Sequence, residues 1–159
     1  MEIVTLNEAK ALLRDMYHDG VSCPCCGQFV KLYRRSVTSS MARGLILVYR
    51  YFASDDPTDW VHVPSLLKSS TLCGDFSKLR HWDFVELQPS QLREDGSKRA
   101  GFYRITDIGK AFVEGKIKVD KYRYEYNGKR RDPDDADRTQ TSIKEALSEG
   151  FNYDELMGR

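Results

Sequence analysis

The stretch from Trp60 to Gly115 constrains the fold of this chain more than any other feature. It begins with Trp60–Val63, whose β-rich composition favours a strand. Pro64 follows, and because its missing N–H is not needed in a first helical turn, the next residues are expected to form a short helix. Asp75 can then cap a second helix. The start of this segment therefore predicts a strand and two consecutive helices.

The helix after Asp75 has an apolar side and a polar side. The residues expected to face inward are Phe76, Leu79 and Trp82. Those expected to face outward, where they could contact phosphates and base edges, are Ser77, Lys78, Arg80 and His81. This polar face is typical of a recognition helix in a DNA-binding protein. An ordinary solvated helix face is the alternative interpretation.

Two strand-like runs, 84–87 and 101–105, come next, and residues 91–99 join them. Asp95-Gly96 supplies the chain reversal, so the runs are expected to form a β-hairpin. Thr106 then caps a last helix. The order of elements predicts an α+β fold, a winged helix-turn-helix, which lays one helix in the major groove and the hairpin along the DNA backbone. The basic residues of the hairpin tip, which suit phosphate contacts, are Arg93, Lys98 and Arg99.

Two runs of the sequence carry a resemblance to a known family. Residues 79–86, LRHWDFVE, and residues 101–113, GFYRITDIGKAFV, resemble the corresponding runs of small winged helix-turn-helix proteins encoded by bacteriophages, whose fold is distantly similar to that of MarR-type proteins. The likeness extends to the cysteine turn at 23–27 and to residues 121–127 and 151–157. The resemblance implies a phage-encoded protein that binds DNA, or one that uses the same fold for protein contacts.

Elements on either side of this segment complete the predicted architecture. A helix near 6–18 begins with a capping box of Thr5 and Glu8, and a second helix spans about 39–53. The predicted parts of the chain are an N-terminal helix and cysteine knuckle at 1–35, a winged-helix domain with an extended strand at 36–127, a linker at 128–140 and an acidic amphipathic tail at 141–159.

The net charge of +1 hides a division along the chain. Residues 1–131 contain 22 Lys and Arg against 16 Asp and Glu, whereas residues 132–159 contain 3 against 8. The basic body suits an acidic partner such as double-stranded DNA. The acidic tail is expected to dock either on the basic surface of its own chain or on a host protein. Its apolar anchors are Phe151, Tyr153, Leu156 and Met157.

Three of the four cysteines lie in one turn, Cys23-Pro24-Cys25-Cys26-Gly27. Cys23 and Cys26 have the spacing of a zinc knuckle, in which backbone N–H groups point at two thiolates. A closed structural site needs four ligands, and the sequence contains no second Cys-x-x-Cys pair. Zinc held by Cys23 and Cys26 is therefore one hypothesis. A knuckle without metal and a zinc site shared across a dimer are the others.

The run 117–126 alternates apolar and charged residues, which is typical of an extended strand. Its tyrosines, Tyr122, Tyr124 and Tyr126, are expected to belong to the core or to a subunit interface. A stacking platform for unpaired bases is the alternative. An exposed strand edge here would also allow a two-fold homodimer, which would suit a palindromic DNA site.

The sequence argues against membrane proteins and against enzymes. It has no run of about 18 apolar residues, and its N-terminus lacks a secretory signal, so the expected location is the cytoplasm, of the host cell if the protein is viral. It also has no phosphate-cradling glycine loop, nucleophile-elbow serine or helical His-Glu metal pair. DNA binding that regulates transcription or another DNA transaction is the leading hypothesis. A module that binds or inhibits a host protein is the alternative.

Overall fold

The computed structural model describes residues 4–89 and 101–159 of the chain. They form a mixed structure of helices and small antiparallel sheets, which confirms the α+β class. The chain divides into two compact units. The first unit contains residues 1–35 and 122–137, and the second contains residues 36–121 and 138–159.

The helices and strands are numbered in chain order. The helices are α1 (Leu6–Met16), α2 (Ser39–Phe52), α3 (Val63–Leu67), α4 (Ser70–Gly74), a 3-10 helix (Phe76–Trp82), α5 (Asp107–Val113), α6 (Ile143–Leu147) and α7 (Tyr153–Leu156). The strands are β1 (Val21–Ser22), β2 (Phe29–Val30), β3 (Tyr33–Ser36), β4 (Val61–His62), β5 (Val85–Leu87), β6 (Phe102–Ile105), β7 (Val119–Asp120), β8 (Tyr122–Tyr126), β9 (Lys129–Arg130) and β10 (Gln140–Thr141).

Helix α1 of the first unit is held at its start by the predicted capping box. Thr5 Oγ1 accepts a hydrogen bond from the backbone N–H of Glu8 at 3.2 Å, and the Glu8 carboxylate accepts one from the backbone N–H of Thr5 at 2.7 Å. Strands β1 and β2 form an antiparallel hairpin with the cysteine turn at its tip. The other sheet of this unit has the order β3-β8-β9. The tip of the hairpin therefore presents the cysteines.

Residues 128–140, which were predicted to be a linker, contain regular structure. Glu125 of β8 lies opposite Arg130 of β9. The Asp132 carboxylate accepts hydrogen bonds from Arg130 Nε at 2.7 Å and from the backbone N–H of Tyr124 at 3.1 Å. Carboxylates that disfavour regular structure in isolation thus have basic and amide partners here. The second boundary between the two units, at 137/138, lies within this segment.

The predicted extended strand 117–126 is also divided. Its first part is β7, which pairs with β10 so that Val119 lies opposite Thr141 in the second unit. Its second part is β8, which lies between β3 and β9 in the first unit. The first boundary between the units coincides with the predicted boundary at 35/36. Residues 122–127, which were predicted to belong to the winged-helix domain, belong instead to the first unit.

Helix α2 is the centre of the second unit. Thr38 caps it, since its Oγ1 accepts a hydrogen bond from the backbone N–H of Met41 at 3.2 Å. Helices α3, α4, α5 and α6 all contact α2. Its fully or almost fully buried residues are Met41, Ala42, Leu45, Ile46 and Val48. The predicted second helix therefore organises the core.

The sheet of the second unit has the order β4-β6-β5, and both pairs are antiparallel. Val61 lies opposite Tyr103, and Val85 lies opposite Ile105. These pairs confirm the strands predicted at 84–87 and 101–105. The predicted hairpin tip, with Arg93, Lys98 and Arg99, lies outside the described residues.

Helix α5 packs directly on the backbone of the residue before β5. Thr106 caps it as predicted, because Thr106 Oγ1 accepts from the backbone N–H of Gly109 at 3.0 Å. A Cβ at Gly109 would overlap the carbonyl oxygen of Phe84, so only glycine permits this approach. Ile108 is 46% exposed, because the buried side of the helix carries Phe112 and Val113.

The acidic tail packs within the second unit, which contains residues 138–159. Ser142 caps α6, and Ile143 and Leu147 are each 1% exposed. The Tyr153 hydroxyl donates to the carbonyl of Val113 at 2.6 Å. Tyr153, Leu156 and Met157 pack against the core, so these expected anchors already have partners in their own chain.

Candidate functional site

The 3-10 helix Phe76–Trp82 is the element that the sequence analysis assigned to DNA contact. Such a helix has three residues per turn, so side chains three positions apart share a row. The row of Phe76, Leu79 and Trp82 is at most 3% exposed. Trp82 Nε1 also donates to the carbonyl of Asp120 at 2.6 Å. This buried row fixes the helix on the second unit.

Ser77 and Arg80 share the exposed row of this helix, and Lys78 between them is half-buried. An exposed hydroxyl and guanidinium one turn apart can donate hydrogen bonds to phosphate oxygens, and a guanidinium can also meet a base edge. The helix therefore brings three of its four predicted contact residues to an accessible or partly accessible position.

The expectation that His81 faces outward is wrong. Its side chain is only 8% exposed, and its ring lies 6.5 Å from that of Trp82. The 3.6-residue period of an α-helix would place His81 opposite the buried row, whereas the three-residue period puts it in the row of Lys78, which is half-buried. His81 is therefore not a surface contact.

Strands β5 and β6, which flank residues 90–100 in the sequence, pair with each other in the antiparallel sense. The backbone N–H of Gln88 donates to the carbonyl of Phe102 at 2.9 Å. On the other side of β6, the backbone N–H of Val63 donates to the carbonyl of Gly101 at 2.8 Å. The basic residues predicted for the hairpin tip lie outside the described part of the chain; they are Arg93, Lys98 and Arg99.

An acidic cleft of about 560 Å³ lies between β5, β6 and the start of α5. Asp83, Glu86 and Asp107 line it, together with Arg104. Arg104 Nε donates to Glu86 at 2.6 Å, and the Arg104 guanidinium stacks on the Trp60 ring at 4.4 Å. Three carboxylates and one guanidinium give the cleft a net negative charge, which disfavours phosphate. Sequence reasoning missed it because its carboxylates come from separate elements.

The cysteine turn has the hydrogen bonds of a knuckle. The backbone N–H of Cys23 donates to the carbonyl of Gln28, and that of Gly27 donates to the carbonyl of Cys23, both at 2.8 Å. Gly27 has a φ of +75°, a conformation that glycine adopts without strain. The N–H groups of Cys26 and Cys25 donate to Cys23 Sγ and lower the pKa of that thiol. The turn therefore directs two backbone N–H groups at the Cys23 sulfur.

The remaining cysteine and histidines are engaged elsewhere. Cys73 is half-buried and packs against the core, and His62 Nδ1 lies 2.6 Å from Ser65 Oγ. His18 Nε2 lies 3.5 Å from the Asp135 carboxylate. Within residues 4–89 and 101–159, no three His, Cys, Asp or Glu side chains are grouped so that they could hold a metal ion.

The tyrosines of β8 are structural. Tyr124 is 5% exposed, and its hydroxyl accepts from the backbone N–H of Asp137 at 3.0 Å. The Arg34 guanidinium covers the ring of Tyr122 at 4.4 Å. An open platform for unpaired bases is therefore not present at these two rings, and the expectation of a core role is met at Tyr124.

No family model matches this chain, and neither a curated protein nor a solved structure matches it significantly. The resemblance to phage-encoded winged-helix proteins therefore stays a prediction. No helix in the described part of the chain has the length and apolar character to cross a membrane.

Proposed function

We propose that this chain is a winged-helix DNA-binding protein that regulates transcription or another DNA transaction. The observation that carries the proposal is the order of elements in residues 39–113, namely α2, β4, two short helices, the 3-10 helix, β5, β6 and α5. In the sheet order β4-β6-β5, the edge strand β5 follows the 3-10 helix and pairs with β6, as the first strand of a wing hairpin would. In this proposal, the 3-10 helix is the recognition element.

Charge supports the same assignment. Arg80 and Lys78 would meet phosphates or base edges, and Ser77 would add a neutral donor. The sequence places Arg93, Lys98 and Arg99 between β5 and β6, where a wing would follow the backbone. Carboxylates at Asp75 and Asp83 flank the helix, so the affinity is expected to be modest and to depend on salt. Binding, and not catalysis, is the proposed activity, with the cytoplasm of a phage-infected host cell as its location.

The test is fluorescence polarisation of a labelled mixed-sequence duplex with the full chain, titrated over salt concentration. The double variant Lys78→Ala/Arg80→Ala should weaken binding and reduce the slope of log affinity against log salt by about 2, because each phosphate contact contributes roughly 0.9. The matched control is Lys110→Ala/Lys116→Ala, which removes two exposed charges at α5 and the residues after it. Equal slopes for the two double variants would contradict the proposed interface.

A second candidate function is a winged-helix module that binds a host protein. The observation that favours it is the apolar face of α1, where Leu6 is 61% exposed and Leu12 and Met16 are each 39% exposed. Exposed apolar side chains on one helix face mark many protein contacts. The duplex titration separates the two candidates, since no binding even at low salt would reject the first and leave the second.

A further inference from the structure

The knuckle at the tip of the β1–β2 hairpin offers two thiols at the spacing that zinc uses. Cys26 and Cys25 are exposed and Cys23 is half-buried. Two N–H groups already donate to Cys23 Sγ, which is the hydrogen bonding that stabilises a metal-bound thiolate. The turn therefore already supports Cys23, one of the two thiols of the Cys-x-x-Cys pair, with two N–H donors.

One chain does not complete the site. A structural zinc ion takes four ligands in a tetrahedron, and the knuckle supplies two. Residues 1–3 and 90–100 contain neither cysteine nor histidine. In the part of the chain that the structure describes, no group of three potential ligands exists. A zinc ion held by this knuckle would therefore take its other two ligands from another molecule.

A second copy of this chain can supply the other two zinc ligands. Two identical Cys-x-x-Cys knuckles related by a two-fold axis supply four thiolates and close the tetrahedron. The hairpin around the knuckle is accessible for such a contact, since Phe29 of β2 is 58% exposed and Pro24 is exposed. An apolar ring beside the metal would become covered when two hairpins meet.

The first unit also lacks the apolar interior that would make a metal unnecessary. Among its described residues, the buried apolar side chains are Ala9, Leu32 and Tyr124. Small units with little core are commonly stabilised by disulfides or metal ions, and all four cysteines of this chain are free thiols. A metal shared between two chains would supply that stabilisation.

We propose that Cys23 and Cys26 of two chains bind one Zn²⁺ and join the chains as a dimer. Each of the four thiols loses its proton to solvent when the metal binds, so assembly is favoured as pH rises. Cys25 lies within the same turn but outside the Cys-x-x-Cys pair, and Cys73 belongs to the second unit. These two cysteines are the internal controls.

The experiment measures zinc content and molar mass on the same sample of the full chain, purified under reducing conditions and loaded with Zn²⁺. We expect about 0.5 zinc per chain and the mass of a dimer, which a chelator converts to the mass of a monomer. Substituted Co²⁺ should give the absorption of a tetrahedral tetrathiolate. These measurements need no variant, so they do not depend on whether a mutant folds.

Variants then assign the ligands. Cys23→Ser and Cys26→Ser should each lose zinc and dimerisation, whereas Cys25→Ser and Cys73→Ser should retain both. About one zinc per monomer, no zinc, or a dimer that survives the chelator would each overturn the proposal. A dimer that only a thiol reductant dissociates would indicate a disulfide and would overturn it as well.

Discussion

The second unit buries aliphatic and aromatic side chains from nearly every helix around α2, whereas the described residues of the first unit bury Ala9, Leu32 and Tyr124. In place of a core, the first unit has charged contacts, among them Asp132 with Arg130 and Glu125 with Arg35. Glu125 is only 4% exposed. The two units therefore depend on different physical terms, apolar burial in one and paired charges in the other.

This difference separates their responses to the environment. Apolar burial is insensitive to pH and salt, whereas paired carboxylates lose their contribution when they are protonated. Both tryptophans, Trp60 and Trp82, belong to the second unit, so tryptophan fluorescence reports on that unit. Hydrogen exchange of the β8 and β9 amides reports on the first. The comparison can thus be tested with one probe for each unit.

The largest effect is expected from Phe112→Ala in α5. The Phe112 ring is fully buried and stacks on Phe84 with a centroid distance of 4.5 Å. Its removal should lower the free energy of unfolding by about 3–5 kcal/mol, because the lost burial is accompanied by a cavity. Denaturant unfolding followed by tryptophan fluorescence measures this. Ile108→Ala, at an exposed position of the same helix, should change it by less than about 0.5 kcal/mol. Equal effects would contradict the assignment of the core.

A smaller effect, which depends on pH, is expected at Asp132. Burial raises the pKa of its carboxyl, but hydrogen bonds from Arg130 and the Tyr124 amide and the charge of Arg123 outweigh burial and hold the pKa below the usual 3.8. The folded state thus binds fewer protons than the unfolded state, so the contribution is complete above about pH 4 and is lost as pH falls through the folded pKa.

The Asp132→Asn variant should therefore remove that pH dependence. At neutral pH it should lower the stability of the first unit by about 1.5–3 kcal/mol, the usual range for hydrogen bonds to a charged group. Hydrogen exchange of the β8 and β9 amides between pH 3 and pH 7 is the measurement. Wild-type protection that is flat over this range would show that the first unit does not depend on the charge of Asp132.

Local signals in the sequence predict much of this structure. The caps at Thr5, Thr106 and Ser142 each begin a helix because a side-chain oxygen accepts a nearby backbone N–H, a contact within three residues. Helix α4, which was missed, has the same kind of cap at Ser69 but only five residues of helix. Such a short helix leaves no periodic pattern to detect.

The errors arise from distant pairing and from helix type. Strand β8 belongs to the first unit because it pairs with β3, which lies about 90 residues earlier in the chain. The contact between Arg35 and Glu125 joins the same two strands. Alternation predicts a strand but does not identify its neighbour. At His81, the sequence does not distinguish a 3-10 helix from an α-helix, and the two periods place that side chain on different faces. Both errors concern residues assigned to function or to a domain boundary.

The smallest effect provides the closest comparison of the two units, because each contains one arginine–glutamate pair of similar geometry. Arg35 Nε donates to Glu125 at 3.0 Å in the first unit, and Arg104 Nε donates to Glu86 at 2.6 Å in the second. The Glu125 side chain is 6% exposed, whereas that of Glu86 is 49% exposed. Water therefore screens the second pair more effectively than the first, in which the Arg35 side chain is 41% exposed.

Glutamine in place of either glutamate keeps an oxygen that can accept from arginine and removes only the charge. Glu125→Gln should lower the stability of the first unit by about 1 kcal/mol, since its charge acts in a poorly solvated position. Glu86→Gln should change the stability of the second unit by less than about 0.5 kcal/mol, as exposed pairs do. Hydrogen exchange at β8 and tryptophan-monitored unfolding measure the two. A larger loss for Glu86→Gln would mean that exposure does not explain the difference between the units.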